Sequence, residues 1–340
     1  MSKRKAKIIK AVAVYSAFIL ATLIIAFLSV WIGNSSAKVN FNQMFVGIFD
    51  GRNIVVNRLL DVRAPRTVIA MLTGACLAVA GVLLQSATRN ELADASIVGV
   101  SSATYLAHLI CGMFMSGIGL LFSPLIAAAF GLIVFCGIMF IAWNHGLKSN
   151  RIILVGAAVN ALLMIVILTL CLMSGINASA KLMALTGSLG IPTGQEIIAT
   201  AIFTGVGLLC SIILIPKCNV LALGDKIASG LGMNVTRMKF TLIAIAVLLC
   251  SVATKYLGIT AFVGLLAPLI ARKLLGSNHK HLIPLSAIAG ALIVLTADFL
   301  GRCVINQPFS MPVGIITTII GGVVFLIMLK RSFSNGHQSR

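Results

Sequence analysis

Apolar residues run through this chain in long blocks, with polar, glycine or proline punctuation between most of them. Ten such blocks span 11–32, 65–85, 97–115, 121–143, 152–174, 196–216, 240–257, 259–275, 282–302 and 312–330. Each is close to the length of about 20 residues that crosses a bilayer as a helix. The pattern predicts an all-α polytopic membrane protein with one transmembrane domain over residues 1–340. The boundary between the seventh and eighth blocks is the least marked. Lys239 and Arg272 bracket a stretch with only Gly258 as a turn signal. Two short helices are expected there, the second kinked at Pro268. Between the first two blocks, Phe41, Met44, Phe45, Ile48 and Phe49 recur at helical spacing, as do Val55, Val56, Leu59 and Leu60. These predict short amphipathic helices lying on the outer membrane face.

Composition agrees with this reading. Of 340 residues, 59% are hydrophobic and only 10% charged. A soluble domain carries roughly 25% charged residues, so a soluble enzyme, a disordered chain and a secreted disulfide scaffold are excluded. The eight cysteines form no CxxC and read as small hydrophobes within helices. Lys3-Arg4-Lys5 before a long apolar run resembles a signal peptide, but the run exceeds the usual apolar length of about 7–15 residues, so a retained first span is expected. His279 and His281 sit in a Lys-rich stretch read as a solvated loop.

The charge is lopsided: 26 Lys and Arg against 7 Asp and Glu, a net +19. In a soluble protein this would point to nucleic acid. Here the basic residues are spread over many short loops, which argues against it. With the N-terminus inside and the spans alternating, eighteen of the 26 fall inside and eight outside. The asymmetry predicts cytoplasmic N- and C-termini and an even number of spans. No GxxxxGK[ST] occurs, so the chain has no P-loop and any ATP-driven motor is another chain. Small residues at Gly74, Ala78, Gly81, Gly156, Ala287, Gly290 and Gly321 suit close helix packing in lipid.

Four stretches carry a resemblance. They are Arg63-Ala64-Pro65-Arg66-Thr67 with Gly74, Gly81 and Gln85; Arg89-Asn90-Glu91-Leu92-Ala93-Asp94 with Gly99-Val100-Ser101-Ser102; Ala222-Leu223-Gly224-Asp225 with Ala228 and Leu231-Gly232; and Phe262-Val263-Gly264-Leu265 with Pro268, Arg272, His281, Pro284, Asp298, Arg302 and Met311-Pro312-Val313-Gly314. Their order and spacing, from about residue 8 to residue 330, resemble the FecCD family, the permeases of ABC importers for iron–siderophore complexes, haem and cobalamin. Glu91 and Ala95 stand where the family pattern has prolines, and Leu269 stands where it has histidine.

The resemblance implies the type II importer fold, with helices two to five and seven to ten as inverted repeats. It implies a second permease subunit, of the same or a related chain, two ATPase subunits that hold ATP and Mg, and an extracytoplasmic substrate-binding protein or lipoprotein. The expected cargo is a ferric siderophore, with haem or cobalamin as alternatives, and the expected setting is the bilayer of a bacterial cytoplasmic membrane. No cofactor or metal is expected on this chain. The resemblance places binding-protein docking on Arg63, Arg66 and Arg302, whose guanidinium forks suit carboxylates. Lipid-phosphate snorkelling, or an i,i+4 pair of Arg302 with Asp298, are the plainer alternatives. ATPase coupling falls on the loop 217–238, at Leu221, Ala222, Leu223, Gly224, Asp225, Ala228, Leu231 and Gly232. A cytoplasmic gate falls on Gln85 and Ser86 and on Asn144, His145 and Gly146. Asp298 is the one acid expected within a span. His108 is expected as a hydrogen-bonded packing residue.

A secondary transporter would need intramembrane ionisable pairs, which the spans nearly lack. A membrane-embedded enzyme would need a convergent acid, base or metal set.

Overall fold

The computed structural model describes residues 3–32, 54–114, 119–142, 149–304 and 311–336. Among the described residues there are thirteen α-helices, one short 3-10 turn and no strand. The helices are α1 (Lys3–Trp31), α2 (Ile54–Thr88), α3 (Val100–Phe114), α4 (Phe122–Ala142), α5 (Ser149–Leu172), α6 (Ala178–Leu185), α7 (Gly194–Ile213), α8 (Ile215–Ala222), α9 (Asp225–Gly230), α10 (Val235–Leu257), α11 (Val263–Leu275), α12 (His279–Val304) and α13 (Val313–Gly336). Seven of them are long and apolar enough to cross a membrane: α1, α2, α4, α5, α7, α10 and α12. These seven, together with α3, α11 and α13, occupy the ten apolar blocks.

Helix α2 is the axis of the bundle, packed against α1, α7, α10, α11 and α12. Small residues set these contacts. A Cβ on Gly74 would strike the backbone carbonyl of Gly290 on α12, and one on Gly81 would strike that of Gly264 on α11. A Cβ on Gly156 would come within 2.9 Å of Val98 backbone atoms. Close approach of this kind maximises dispersion contact where lipid supplies no hydrophobic drive. The outward faces are apolar: Ile19, Leu20 and Leu23 on α1, Ile133 and Phe140 on α4, Leu154 and Leu162 on α5, and Ile319 and Leu326 on α13 are all exposed. A belt this large suits lipid or a partner chain rather than water.

Side-chain bonds fix the direction of the helices. Tyr15 on α1 donates to the carbonyl of His281 at 3.3 Å, while Arg302 bonds to Ser29. Helices α1 and α12 therefore run parallel. Ser29 pairs with Thr67 and Ser86 pairs with His279, so α2 runs antiparallel to both. The end where α1 begins is called the near end below, and the opposite end the far end.

Two expectations change. Residues 54–62 do not form a separate helix on the membrane surface; they continue into α2, a 35-residue helix with Pro65 inside it. Val56 is fully buried, so packing extends the helix past the proline that would otherwise mark its start. Residues 41–49, the other half of that expectation, lie outside the described residues. The helix of the seventh apolar block, α10, is longer than expected, starting at Val235, where the Asn234 side chain accepts from Arg237 N. It stops at Gly258, in the left-handed region at φ 57°, and helix resumes only at Val263. Glycine suits this break twice over, because a Cβ there would also collide with the carbonyls of Ala184 and Leu185. Pro268 lies inside α11.

Candidate functional site

The three arginines expected to dock a binding protein meet at the far end, and their guanidinium groups are bound within the chain. Arg63 donates to the carbonyls of Val30 and Trp31 at 3.0 and 2.9 Å. Arg302 donates to the carbonyl of Ser29 at 3.1 Å and to its hydroxyl. Both therefore cap the last turn of α1, where carbonyls lack helical partners and the helix dipole favours cations. Asp298, with no side-chain exposure, sits between the other charges. Its Oδ1 accepts from Arg66 Nη2 at 2.7 Å and Nε at 2.9 Å. Its Oδ2 lies 3.0 Å from Arg302 Nη2. The expected i,i+4 pair with Arg302 exists, and Arg66 joins it. Three cations against one anion leave the cluster positive, and it staples α1, α2 and α12 together. Arg66 is 16% exposed at its side chain and Arg302 11%.

A second buried acid was not foreseen. Asp94, outside the spans in the sequence reading, where Asp298 is the one acid expected within a span, is 3% exposed. The segment between α2 and α3 folds back into the bundle, with Ala93, Ala95 and Val98 all buried. Asp94 Oδ2 accepts from the backbone N of Phe262 at 3.3 Å and from the Ser96 hydroxyl. It thus caps the interior start of α11, where the dipole favours an anion. Phe262 takes a left-handed conformation, φ 68°, uncommon for an aromatic residue. Its ring lies against Gly321 and 6.1 Å from the Phe325 ring on α13. Broken helices in transporters turn half-helix N-termini toward anionic substrate groups, whereas here the N-terminus faces the chain's own Asp94. The sequence signal was present in Ala93 and Ala95 on either side of Asp94, leading straight into the apolar block at Ile97.

At the near end the candidate gate and coupling residues are neighbours. Gln85 Nε2 donates to Gly264 O at 3.2 Å and its Oε1 accepts from Arg272 at 2.6 Å. Arg272 also lies 3.7 Å from Glu91. Ser86 lies 2.8 Å from His279 Nε2. His279 is buried at the start of α12, contrary to the solvated loop expected for it. Asn144, His145 and Gly146 lie outside the described residues.

The candidate coupling loop folds as two short helices, α8 and α9. Gly224, at φ 120°, turns the chain between them, and Gly232 follows the second. Leu221 and Ala228 are fully buried and hold the pair onto the bundle. Asp225 accepts from Lys239 on α10 at 2.7 Å and lies 3.8 Å from Arg89 at the end of α2. Leu223, Ile227 and Leu231 point away and are 54–65% exposed. Three large apolar side chains held outward on a polar loop form an exposed apolar patch. Ile227 was not singled out from sequence; its place four residues from both Leu223 and Leu231 was the available signal.

His108 is a packing residue, as expected: its ring nitrogens lie 3.0 Å from Ser123 Oγ and 2.7 Å from the Ser251 carbonyl. Among the described residues no group of three His, Cys, Asp or Glu could hold a metal ion.

Residues 20–331 match the FecCD transport family. The "Probable heme-iron transport system permease protein IsdF" of Staphylococcus aureus strain Newman is 34% identical over 317 residues, covering 93% of this chain and 94% of that protein. The same protein of strain MSSA476 is 33% identical over the same length. An inward-facing structure of a metal-chelate type ABC transporter has a similar fold, with a TM-score of 0.77 and 23% identity over 94% of this chain and 99% of that one. PsaBC from Streptococcus pneumoniae is a more distant likeness, with a TM-score of 0.57 and 18% identity over 85% of this chain and 95% of that one. A multi-pass helical bundle with no P-loop, matched along nearly its whole length, belongs to the FecCD transport family and is an ABC importer permease.

Proposed function

We propose that this permease passes haem iron across a bacterial cytoplasmic membrane. The observation that carries this is the near full-length likeness to heme-iron permeases at 34% identity. The ferric siderophore is the second reading, carried by the four sequence stretches that resemble the FecCD family. Uptake of labelled haem, ferric siderophores and cobalamin by cells expressing the importer separates them. The proposal expects haem uptake that excess unlabelled haem abolishes; uptake of a ferric siderophore alone would replace it with the second reading.

In this reading the near end is cytoplasmic, in accord with the eighteen of 26 basic residues that the sequence pattern assigns to the inner side. Two ATPase subunits seat on Leu223, Ile227 and Leu231 of α8–α9. A second permease, the same chain or a related one, completes the pathway. The binding protein or lipoprotein docks at the far end over the positive cluster of Arg63, Arg66 and Arg302. Because these arginines are bound internally, their contribution is a residual field more than three free forks. Arg66→Gln is the sharpest test, since it removes one charge and keeps a hydrogen-bond donor for Asp298. Binding-protein association should weaken by roughly tenfold at low salt and the difference should shrink as salt rises. Equal association at every salt concentration would restrict the cluster to capping α1.

A further inference from the structure

We infer that His279 is a positioning residue that locks the ATPase-facing helix α8 to the central helix α2 and carries displacement of one to the other. The inference rests on the ATPase contact proposed above.

The hydrogen bonds fix how the bridge works. Asn278 Oδ1 accepts from the backbone N of Lys280 at 2.9 Å, so it is an oxygen that receives protons. Asn219 Nδ2 on α8 donates to that same oxygen at 3.2 Å. The other side of the Asn219 amide is therefore its oxygen, and the backbone N of His279 donates to it at 3.0 Å. His279 Nδ1 faces this oxygen at 2.9 Å. An oxygen with no proton to give requires a donor, so Nδ1 carries the ring proton. In the neutral ring Nε2 is then an acceptor, and the Ser86 hydroxyl of α2 faces it at 2.8 Å. The ring is thus a directed link, accepting from α2 and donating to α8.

Two features make the link a point of transmission. Ser86 Oγ lies equally close, 2.8 Å, to the carbonyl of Val82, its ordinary partner within a helix. The hydroxyl has a single proton, so a small shift of the ring lets it return to Val82 without leaving a buried donor unpaired. The link can therefore break and re-form at modest cost. Beside it, Gln85 ties α2 to Gly264 at the interior start of α11 and to Arg272 further along the same helix. Adjacent residues of α2 thus hold the ATPase-facing helix on one side and the broken helix on the other. The second tether of the loop, Asp225 with Lys239 and Arg89, is ionic and half exposed, which makes it the weaker of the two.

The test uses the complete importer in proteoliposomes and reads cargo moved per ATP hydrolysed. His279→Asn keeps a donor for Asn219 and cannot reach Ser86; Ser86→Ala removes the α2 arm; Ser86→Thr restores the hydroxyl. The first two should each lower the ratio by about fivefold to tenfold, the scale of one buried hydrogen bond. The double variant should be no worse than the more damaged single, and Ser86→Thr should return near the wild-type ratio. Wild-type ratios in both single variants, or losses that multiply in the double, would overturn the bridge. Failure of the ATPase to co-purify with the wild-type permease would instead remove the contact on which the inference rests.

Discussion

Asp298→Ala is expected to destabilise the permease by about 3–5 kcal/mol, the cost of stripping a buried ion network of its counter-charge. Arg66 would lose the carboxylate that binds it, and Arg302 would keep only uncharged acceptors, the Ser29 carbonyl and hydroxyl and the backbone carbonyl of residue 298. The loss should show as an earlier thermal unfolding of the purified full-length chain. It should also loosen α1, whose last turn depends on Arg302 and Arg63 staying in place. Asp298→Asn, which keeps the shape and one acceptor, should lose less. A drop below about 1 kcal/mol for the alanine variant would mean that water or lipid headgroups already screen these arginines.

Gly81→Ala is expected to be nearly as damaging, at or above the upper end of the usual 1–3 kcal/mol or so for overpacking. The obstacle is the backbone of Gly264, which has no rotamer into which to retreat. Pushing α11 away would also strain its cap, because Gly264 itself packs against Asp94 Oδ1. The damage would thus pass from a helix contact to the bond between Asp94 and Phe262. Gly137→Ala on α4 is the matched control, since nothing lies within 4 Å of a Cβ there. It should be neutral or stabilise by about 0.5–1 kcal/mol, as expected in a helix interior. Folded yield and thermal midpoint of the two variants check the pair. Equal behaviour would show that α2 and α11 do not approach as closely as described.

What the sequence made legible follows from which physics is local. Apolar length alone marks the spans, because a helix in lipid must satisfy its own backbone whatever its neighbours do. Gly74, Gly81 and Gly290 could be read as packing positions because few other uses exist for glycine within a span. Gly224 and Gly232 marked the turns of the coupling loop for a similar reason. Asp94 and His279 were misread because each sits among charged neighbours that do face outward. Glu91 and Lys280 are exposed; Asp94 and His279, a few residues away, are buried. Such placement depends on where a loop re-enters the bundle, a tertiary fact with little trace in composition. The arginine trio was located correctly at one end of the bundle, yet its capping of α1 could not be seen, since a carbonyl at a helix end has no sequence signature. The extension of α2 before Pro65 was hidden for the opposite reason: the strongest local signal, a proline suited to a first turn, was overridden by burial of Val56.

The central claim is that this chain moves an iron chelate only when partner ATPases drive it through α8–α9. The most direct measurement is uptake of labelled haem into proteoliposomes holding the permease with its ATPase and binding protein. Uptake should require hydrolysable ATP and should cease when ATP is replaced by a non-hydrolysable analogue. Uptake by the permease alone, driven by a proton or sodium gradient without ATP, would contradict it.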